Sequence, residues 1–220
     1  MLIFIITFAR TGGMILCETI GQHPGLLTLN EKQNWREQIK DGKSAVIKIW
    51  NFEMFNPKEE KDIFDLFPDA KFISVLRDPK DLSASLKKLN DLGRNTKLFL
   101  THSYKADHQA WIEAVVQYKE FLTWLEGHKE NKNLMILKFE DLILKKHETF
   151  KEIFKWAGIS MDIQVQNHIN NFISNDPVKN YKGRAWSMSG KKKIGYFKEV
   201  LTAWEIKKIN SIFPKSARVS

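Results

Sequence analysis

Continuous apolar runs alternate along the chain with segments in which apolar residues recur every three or four positions. An uninterrupted apolar run is typical of a strand covered on both faces, and the three-to-four spacing is typical of an amphipathic helix. The predicted strands are 1–8, 45–50, 71–76 and 134–137. The predicted helices are 14–20, 58–67, 79–89, 104–125, one ending at Gly158, 162–173 and one beginning after Thr202. This alternation predicts an α/β fold in which helices flank a mostly parallel central sheet.

Local signals mark the starts of two of these helices. Asp78 and Pro79 suit the N-cap and the first position of the helix after the third strand, and Asp81 in its first turn favours the helix dipole. Thr202 and Glu205 have the spacing of a capping box, in which each side chain accepts a hydrogen bond from the backbone of the other.

Composition limits the class of protein. The 220 residues suffice for one domain, predicted as 1–220, and 43% hydrophobic with 28% charged residues is ordinary for a globular chain. Lys and Arg number 35 against 26 for Asp and Glu, and the net charge of +9 indicates an anionic partner without identifying it. Cys17, the single cysteine, excludes an intramolecular disulfide framework and a cysteine-rich zinc site.

The apolar start of the chain resembles a membrane or targeting segment only superficially. The run ends at Arg10 and the glycines after it and has no basic flank. It is also far shorter than the roughly 20 apolar residues that cross a bilayer. We therefore expect no membrane span and a cytoplasmic location.

Ligands of open α/β sheets bind beyond the carboxyl ends of the strands, so the residues after each strand are the candidates for chemistry. After the first strand, Arg10 and Gly12–Gly13 form a P-loop-like strand–turn–helix, whose N–H groups can bind an anion. The lysine and hydroxyl of a Walker A motif are absent, and an ordinary structural turn explains the pattern equally well. After the third strand, Arg77 and Ser85 are eight positions apart, a spacing that lets both reach one phosphate.

A basic segment near the C-terminus is a further candidate for phosphate binding. It lies within 175–195, which is predicted as a loop, and its lysines stand between Gly190 and Gly195. A solvated run of charge is the alternative interpretation. The lysines are Lys191, Lys192 and Lys193.

Four segments, in this order, resemble the sulfotransferases that depend on 3′-phosphoadenosine 5′-phosphosulfate (PAPS), and the resemblance covers nearly the whole chain. The segments are 10–16 (RTGGMIL), 75–85 (VLRDPKDLSAS), 137–142 (LKFEDL) and 191–202 (KKKIGYFKEVLT). The second and fourth are the most specific. The resemblance implies PAPS as sulfuryl donor, 3′-phosphoadenosine 5′-phosphate (PAP) as product, and no metal.

The resemblance also implies roles for individual residues. The first turn would hold the donor's 5′-phosphate, while Arg77, Ser85 and the basic loop would hold its 3′-phosphate. Arg10 would be catalytic, because its charge stabilises the negative charge that develops between the leaving phosphate and the sulfuryl oxygens. Phe139 would lie near adenine, with a place in the core as the alternative. The implied donor-binding residues are Arg10, Thr11, Gly12, Gly13, Met14, Arg77, Ser85, Phe139, Lys191, Lys192 and Lys193.

Two departures from the family pattern bear on catalysis. Gly13 and Met14 stand where the family usually has two hydroxyl residues, so two side-chain contacts to the 5′-phosphate are missing. Residues 48–50 stand where cytosolic members have Lys-Thr-His, so the catalytic histidine of those members is missing as well. Trp50 is expected instead to line the acceptor pocket.

A different carboxylate is therefore expected to deprotonate the acceptor. Other branches of the family use a glutamate after a His-Pro turn, and in this chain Glu31 follows His23–Pro24. Glu31 is the candidate base, with Lys48 assisting at the sulfuryl group. Glu53 is a second candidate, and an exposed helix over 31–37 is the competing explanation for Glu31.

The sequence is interpreted as that of a sulfotransferase that moves a sulfuryl group from PAPS to a hydroxyl or amine of a small-molecule or carbohydrate acceptor by in-line displacement. The missing turn hydroxyls leave a second hypothesis, a catalytically silent module that binds PAP, another nucleotide or a polyanion. A P-loop kinase is less favoured because the Walker lysine and the magnesium ligands are absent. Nucleic acid is not the expected partner, and the sequence does not fix the oligomeric state.

Overall fold

A computed structural model describes residues 1–29, 34–40, 42–50, 55–56, 61–91, 110–171, 178–180, 184–186 and 194–214. Its strands are β1 (Leu2–Thr7), β2 (Leu27–Leu29), β3 (Ala45–Trp50), β4 (Phe55–Asn56), β5 (Lys61–Asp62), β6 (Lys71–Leu76), β7 (Leu134–Lys138), β8 (Val178–Asn180) and β9 (Arg184–Trp186). Its helices are α1 (Gly13–Ile20), α2 (Trp35–Gln38), α3 (Ile63–Leu66), α4 (Pro79–Asp91), α5 (Ala110–Gly127), α6 (Phe139–Leu144), α7 (Lys146–Ala157), α8 (Ile163–Asn171), α9 (Phe197–Val200) and α10 (Ala203–Ile212).

Five strands form the central sheet, in the order β2–β3–β1–β6–β7. Every pair in this sheet is parallel, and Ile3 of β1 is aligned with Val46 of β3 on one side and with Lys71 of β6 on the other. The predicted α/β fold with a parallel sheet is therefore confirmed. Because β1 is the middle strand, the turn that follows it lies at the centre of the sheet's carboxyl edge.

Helices cover both faces of the sheet and bury its alternating side chains in two cores. Phe4 and Ile6 of β1 pack in the core formed with α4, α5 and α10, and their neighbours Ile3 and Ile5 pack in the core formed with α1, α7 and α8. All four side chains are fully buried. Burial on both faces explains why the first strand is apolar without interruption.

Two predicted elements differ from the structure. The helix predicted at 58–67 is confined to α3, because the Asp62 carboxylate accepts hydrogen bonds from the N–H groups of Phe64 (2.9 Å) and Asp65 (3.2 Å) and so starts the helix at Ile63. The segment predicted as a loop at 175–195 contains β8 and β9, which pair as an antiparallel ribbon. Residues 104–109 of the predicted long helix lie outside the described residues, and α5 is described from Ala110.

Both predicted helix starts are confirmed. The Asp78 carboxylate accepts hydrogen bonds from the N–H groups of Lys80 and Asp81 at 2.8 and 3.3 Å. Thr202 and Glu205 form the reciprocal capping box, and Lys87 of α4 adds a salt bridge to Glu205 at 2.9 Å. In the part of the chain that the structure describes, no helix is long and apolar enough to cross a membrane.

Glu205 makes the stability of the α10 region depend on pH. Burial raises the pKa of this carboxyl, but hydrogen bonds from Lys87 and Thr202 outweigh that effect and hold the pKa below its ordinary value of 4.5. A carboxyl with a lowered folded pKa stabilises the protein above its unfolded pKa, and this stabilisation is lost as the pH falls through the folded pKa. We expect Glu205→Gln to lower the free energy of unfolding by about 1–2 kcal/mol at pH 7.

Urea unfolding measured from pH 7 down to pH 3 would check this expectation. The difference between wild type and Glu205→Gln should shrink as the pH falls below the ordinary carboxyl pKa. A difference that stays constant over that range would show that the charge of Glu205 contributes nothing.

Candidate functional site

The turn after β1 has an unusual backbone. Arg10 has φ +69° and Gly12 has φ +107°, and the reversal between them carries the chain from β1 into α1. A left-handed conformation is uncommon for an arginine and is found disproportionately at functional sites. At Gly12 a side chain is blocked twice, by the backbone angle and by Phe139, whose ring carbon would lie 2.9 Å from an added Cβ.

The start of α1 is suited to an anion. Gly12 is the N-cap and makes no side-chain cap hydrogen bond, so the first N–H groups of the helix have no partner from their own cap. The Thr11 side chain is fully buried, and its hydroxyl donates to the Phe8 carbonyl at 2.8 Å. The hydroxyl proton of Thr11 is therefore engaged in a hydrogen bond within the turn. Met14, in the first turn of the helix, is half-buried.

Three of the predicted site residues converge beside this turn. The Arg10 Nε–H donates to the Ser85 hydroxyl at 3.1 Å. The Arg77 guanidinium donates from Nη1 to the Arg10 carbonyl at 2.8 Å. Arg10 follows β1, Arg77 follows β6 and Ser85 lies in α4. The two hydrogen bonds thus join three separate elements at one edge of the sheet.

Arg77 is held in place from several directions. Its N–H donates to the Tyr118 hydroxyl and its carbonyl accepts the Tyr118 proton, both at 2.9 Å. Its guanidinium carbon lies 4.4 Å from the centre of the Phe139 ring, and the side chain is 5% exposed. Burial lowers the pKa of Arg77, which the nearby charges of Asp81 and Glu140 oppose, and an arginine remains charged under these conditions. The result is a pre-oriented cation.

Phe139 is a buried residue of the core beside the turn after β1. Its side chain is 3% exposed and packs between Gly12 and the Arg77 guanidinium. The ring thus connects the turn after β1 with the arginine after β6.

Lys48 reaches the turn from β3. Its side chain is 7% exposed, and its Cε would lie 2.9 Å from a Cβ added to Gly13. The backbone of Trp50 ends the same strand, and the position of its side chain lies outside what the structure describes. The other predicted residues outside the described ranges are Glu31, Glu53, Lys191, Lys192 and Lys193.

Asp81 makes long-range hydrogen bonds in addition to its predicted place in the first turn of α4. Its carboxylate accepts hydrogen bonds from the N–H groups of Gly195 (2.7 Å) and Phe197 (3.0 Å), which lie immediately after the basic loop. Lys87, further along α4, donates to the carbonyl of Val200 at 3.2 Å. We call these contacts the α4 clamp. They fix the chain just beyond the three lysines to the helix that carries Ser85.

The surroundings of Arg77 leave room for a ligand. A cavity of about 420 Å³ lies between the start of α4, the middle of α5 and the end of α10, and Arg77, Lys138 and Glu140 contribute to its wall. Among the residues that the structure describes, no group of three His, Cys, Asp or Glu side chains is placed to hold a metal ion.

Comparison with known proteins identifies the family. The chain matches the sulfotransferase family over residues 48–163, which is more than half of its 220 residues. It belongs to the sulfotransferase family, and the family predicted from the sequence is confirmed. A comparison with curated proteins finds no match.

Solved structures of sulfotransferases have the same fold. A mouse sulfotransferase complexed with PAP is 18% identical, with a TM-score of 0.69 and coverage of 99% of this chain and 84% of that one. The sulfotransferase domain from the curacin biosynthetic pathway is 14% identical, with a TM-score of 0.59 and coverage of 95% of both chains. Retinol dehydratase in complex with retinol and PAP is 12% identical, with a TM-score of 0.60 and coverage of 100% and 82%.

Proposed function

We propose that this chain transfers the sulfuryl group of PAPS to a hydroxyl or amine of an acceptor by in-line displacement, with PAP as the product. The observation that carries the proposal is the convergence of Arg10, Arg77 and Ser85 beside the start of α1. A donor with two separate phosphates needs two cationic positions, and Arg10 and Arg77 are proposed to supply them. Membership of the sulfotransferase family supports the same reaction.

The start of α1 is the proposed site of the 5′-phosphate. Backbone N–H groups and the helix dipole favour negative charge at that point. Arg10 lies in the same turn, and its guanidinium can stabilise the charge that develops as the bond to the sulfuryl group breaks. The Arg77 guanidinium holds the Arg10 carbonyl and so fixes the backbone from which this cation extends.

Arg77 and Ser85 are the proposed site of the 3′-phosphate. The planar guanidinium offers a fork of donors and Ser85 offers a hydroxyl, and both are largely buried. Lys191, Lys192 and Lys193 are proposed to complete this site, because the clamp fixes Gly195, two residues further on, to α4. The relatives solved with PAP support a donor of this chemistry.

The acceptor is proposed to enter beside Lys48 and Trp50, with Glu31 as the base. Lys48 is buried against the donor turn, where its charge can assist the sulfuryl group in transfer. Retinol dehydratase, which shares the fold, was solved with retinol and with androsterone, and this supports a small-molecule acceptor for the present chain. We further propose that 1–220 forms one sulfotransferase-like domain and acts in the cytoplasm.

Thermal unfolding with PAP, 5′-AMP or ATP at equal concentration tests the donor site. A ligand at about one hundred times its Kd stabilises a protein by roughly 2.7 kcal/mol, which corresponds to a rise of about 5–11 °C for a chain of this size. We expect this rise with PAP and a much smaller one with 5′-AMP, which lacks the 3′-phosphate. Equal shifts, or none, would contradict the proposal.

A catalytically silent PAP-binding module is the second candidate function. The observation that favours it is the absence of side-chain hydroxyls at Gly13 and Met14. Incubation with PAPS and a panel of alcohols, phenols and amines separates the two. Release of PAP with formation of a sulfated acceptor supports the enzyme, whereas PAP binding without turnover supports the silent module.

The α4 clamp leads to a further prediction for PAP binding. Asp81→Ala removes two hydrogen bonds from backbone N–H groups to a carboxylate that is 2% exposed, so we expect a loss of about 2–4 kcal/mol in stability. Without these bonds Gly195 and Phe197, just beyond the three lysines, are no longer fixed to α4, and the Kd for PAP should rise as well. Isothermal titration and urea unfolding measure the two effects.

Asp65→Ala is the matched control for the clamp. Asp65 is an exposed carboxylate in α3, and its removal should change neither quantity appreciably. A PAP affinity in Asp81→Ala equal to that of wild type would show that the clamp has no part in donor binding.

A further inference from the structure

The cavity beside Arg77 is not explained by the proposed donor site. It encloses about 420 Å³, and small-molecule sites typically enclose about 300–1,000 Å³. Among the proposed donor residues that the structure describes, Arg77 alone contributes to its wall, and the turn after β1, Ser85 and Phe139 do not. The cavity is therefore a separate space that borders the donor site at one residue.

Most of this cavity lies on the face of the sheet opposite α1. Leu122, Phe197 and Ile209, which form part of its wall, pack in or against the core formed with α4, α5 and α10. Leu16 of α1 and Phe139 pack in the core on the other face. A ligand in the cavity would thus leave the turn after β1 open to the donor.

The uncharged part of the wall suits a flat apolar ligand. Removal of apolar surface from water is the main source of affinity for such a ligand, and aromatic side chains offer large surfaces for stacking. The aromatic residues of the wall are Tyr118, Phe197 and Phe213, and its aliphatic residues include Leu76, Leu122 and Ile209.

The charged residues of the wall favour an anionic group on this ligand. Asp78 and Asp81 already accept hydrogen bonds from backbone N–H groups, and Glu140 is near the buried guanidinium described above. Lys80 and Lys138 also belong to the wall, and neither has an ion-pair partner in the described ranges of the chain. The two lysines therefore place uncompensated positive charge at the edge of an apolar space.

We propose that this cavity is a regulatory site for a small aromatic anion, whose binding strengthens the binding of the donor. Tyr118, in its wall, holds the N–H and the carbonyl of Arg77 through its hydroxyl. Phe197, also in its wall, is held by Asp81 of the α4 clamp. A ligand packed against both residues favours the arrangement that positions Arg77 and the segment after the basic loop.

Ligand and donor should consequently bind more tightly together than apart, by the same factor in each direction. The site itself goes beyond the proposed function, and its effect on PAP rests on that function.

Fluorescence titration with 8-anilinonaphthalene-1-sulfonate (ANS), an aromatic anion, tests the site. Leu122→Trp places a larger side chain in the wall, and we expect the Kd for ANS to rise at least about 10-fold because apolar contact supplies most of the affinity. Leu144→Trp is the matched control, since Leu144 is 58% exposed on α6 and is not part of the wall. Asn210→Trp, at an exposed position of the wall, replaces Leu122→Trp if that variant does not fold.

A second pair of measurements tests the preference for an anion. Lys138→Gln should raise the Kd for ANS about 2- to 5-fold, as expected for an exposed charge pair. N-phenyl-1-naphthylamine has the same rings without the sulfonate, and its Kd should stay unchanged. Lys151→Gln, which removes an exposed lysine of α7, should affect neither probe. Equal effects of Lys138→Gln on the two probes would contradict the anionic preference.

Titration in the presence of PAP tests the coupling and separates it from the proposed function. Saturating PAP should lower the Kd for ANS about 5-fold or more, and ANS should lower the Kd for PAP by the same factor. Displacement of ANS by PAP would place the probe in the donor site, and ANS binding unaltered by PAP or by Leu122→Trp would equally overturn the inference. If wild type shows no preference for PAP over 5′-AMP, the proposed function fails, while ANS binding by wild type and Leu122→Trp still tests the cavity.

Discussion

Arg77→Ala should remove most of the stabilisation of this protein by PAP. The change removes a buried guanidinium that is hydrogen-bonded to the Arg10 carbonyl, and with it the two charge-assisted hydrogen bonds that we propose it makes to the 3′-phosphate. At about 1.5–3 kcal/mol for each such bond, the Kd for PAP should rise at least about 100-fold. The thermal shift with PAP should fall to the level given by 5′-AMP.

Two companion variants sharpen this test. Arg77→Lys keeps the charge but not the planar fork, and we expect it to recover only a small part of the affinity. Arg36→Ala removes an exposed arginine from α2, which stacks on Trp35 away from the turn, and should bind PAP as wild type does. A normal PAP shift in Arg77→Ala would place the donor elsewhere on the molecule.

Phe139→Ala should have the largest effect on stability. Removal of a buried phenylalanine leaves a cavity and costs about 3–5 kcal/mol, equivalent to a fall of roughly 6–20 °C in Tm for a chain of this size. The ring also supports Arg77 from one side and Gly12 from the other, so PAP affinity should fall together with stability. Differential scanning fluorimetry and PAP titration at low temperature measure both quantities.

Phe150→Ala is the control that separates packing from binding. Phe150 is 1% exposed and belongs to the same core as Phe139, but it lies in α7. Both variants should lose similar stability, and only Phe139→Ala should lose PAP affinity. Equal binding by the two would mean that Phe139 is a core residue and nothing more. Phe139→Leu, which leaves a smaller cavity, keeps the comparison possible if the alanine variant does not fold.

Features set by local sequence were predicted correctly. The apolar runs located β1, β3, β6 and β7, and the Asp78 and Thr202 caps fixed the starts of two helices. These signals depend on neighbours within a few positions, so spacing is sufficient to find them. The strand β2 was not predicted, because a strand of three residues shows no periodic pattern in the sequence.

Features set by long-range contacts were not predictable. Asp81 looked like a first-turn carboxylate, and nothing in its spacing indicates hydrogen bonds to Gly195 and Phe197, more than a hundred positions away. Tyr118 lies in the predicted helix 104–125, and its helical spacing does not show that its hydroxyl holds the backbone of Arg77.

The central place of β1 in the sheet also has a consequence for biosynthesis. Its two neighbours, β3 and β6, are made later, and parallel pairing requires long crossovers rather than a hairpin. This strongly apolar strand therefore leaves the ribosome before its two partners and keeps both hydrogen-bonding edges open until residues 50 and 76 have been synthesised. Such edges favour association between nascent chains. Yield on expression should therefore improve at low temperature, which weakens hydrophobic association between such chains.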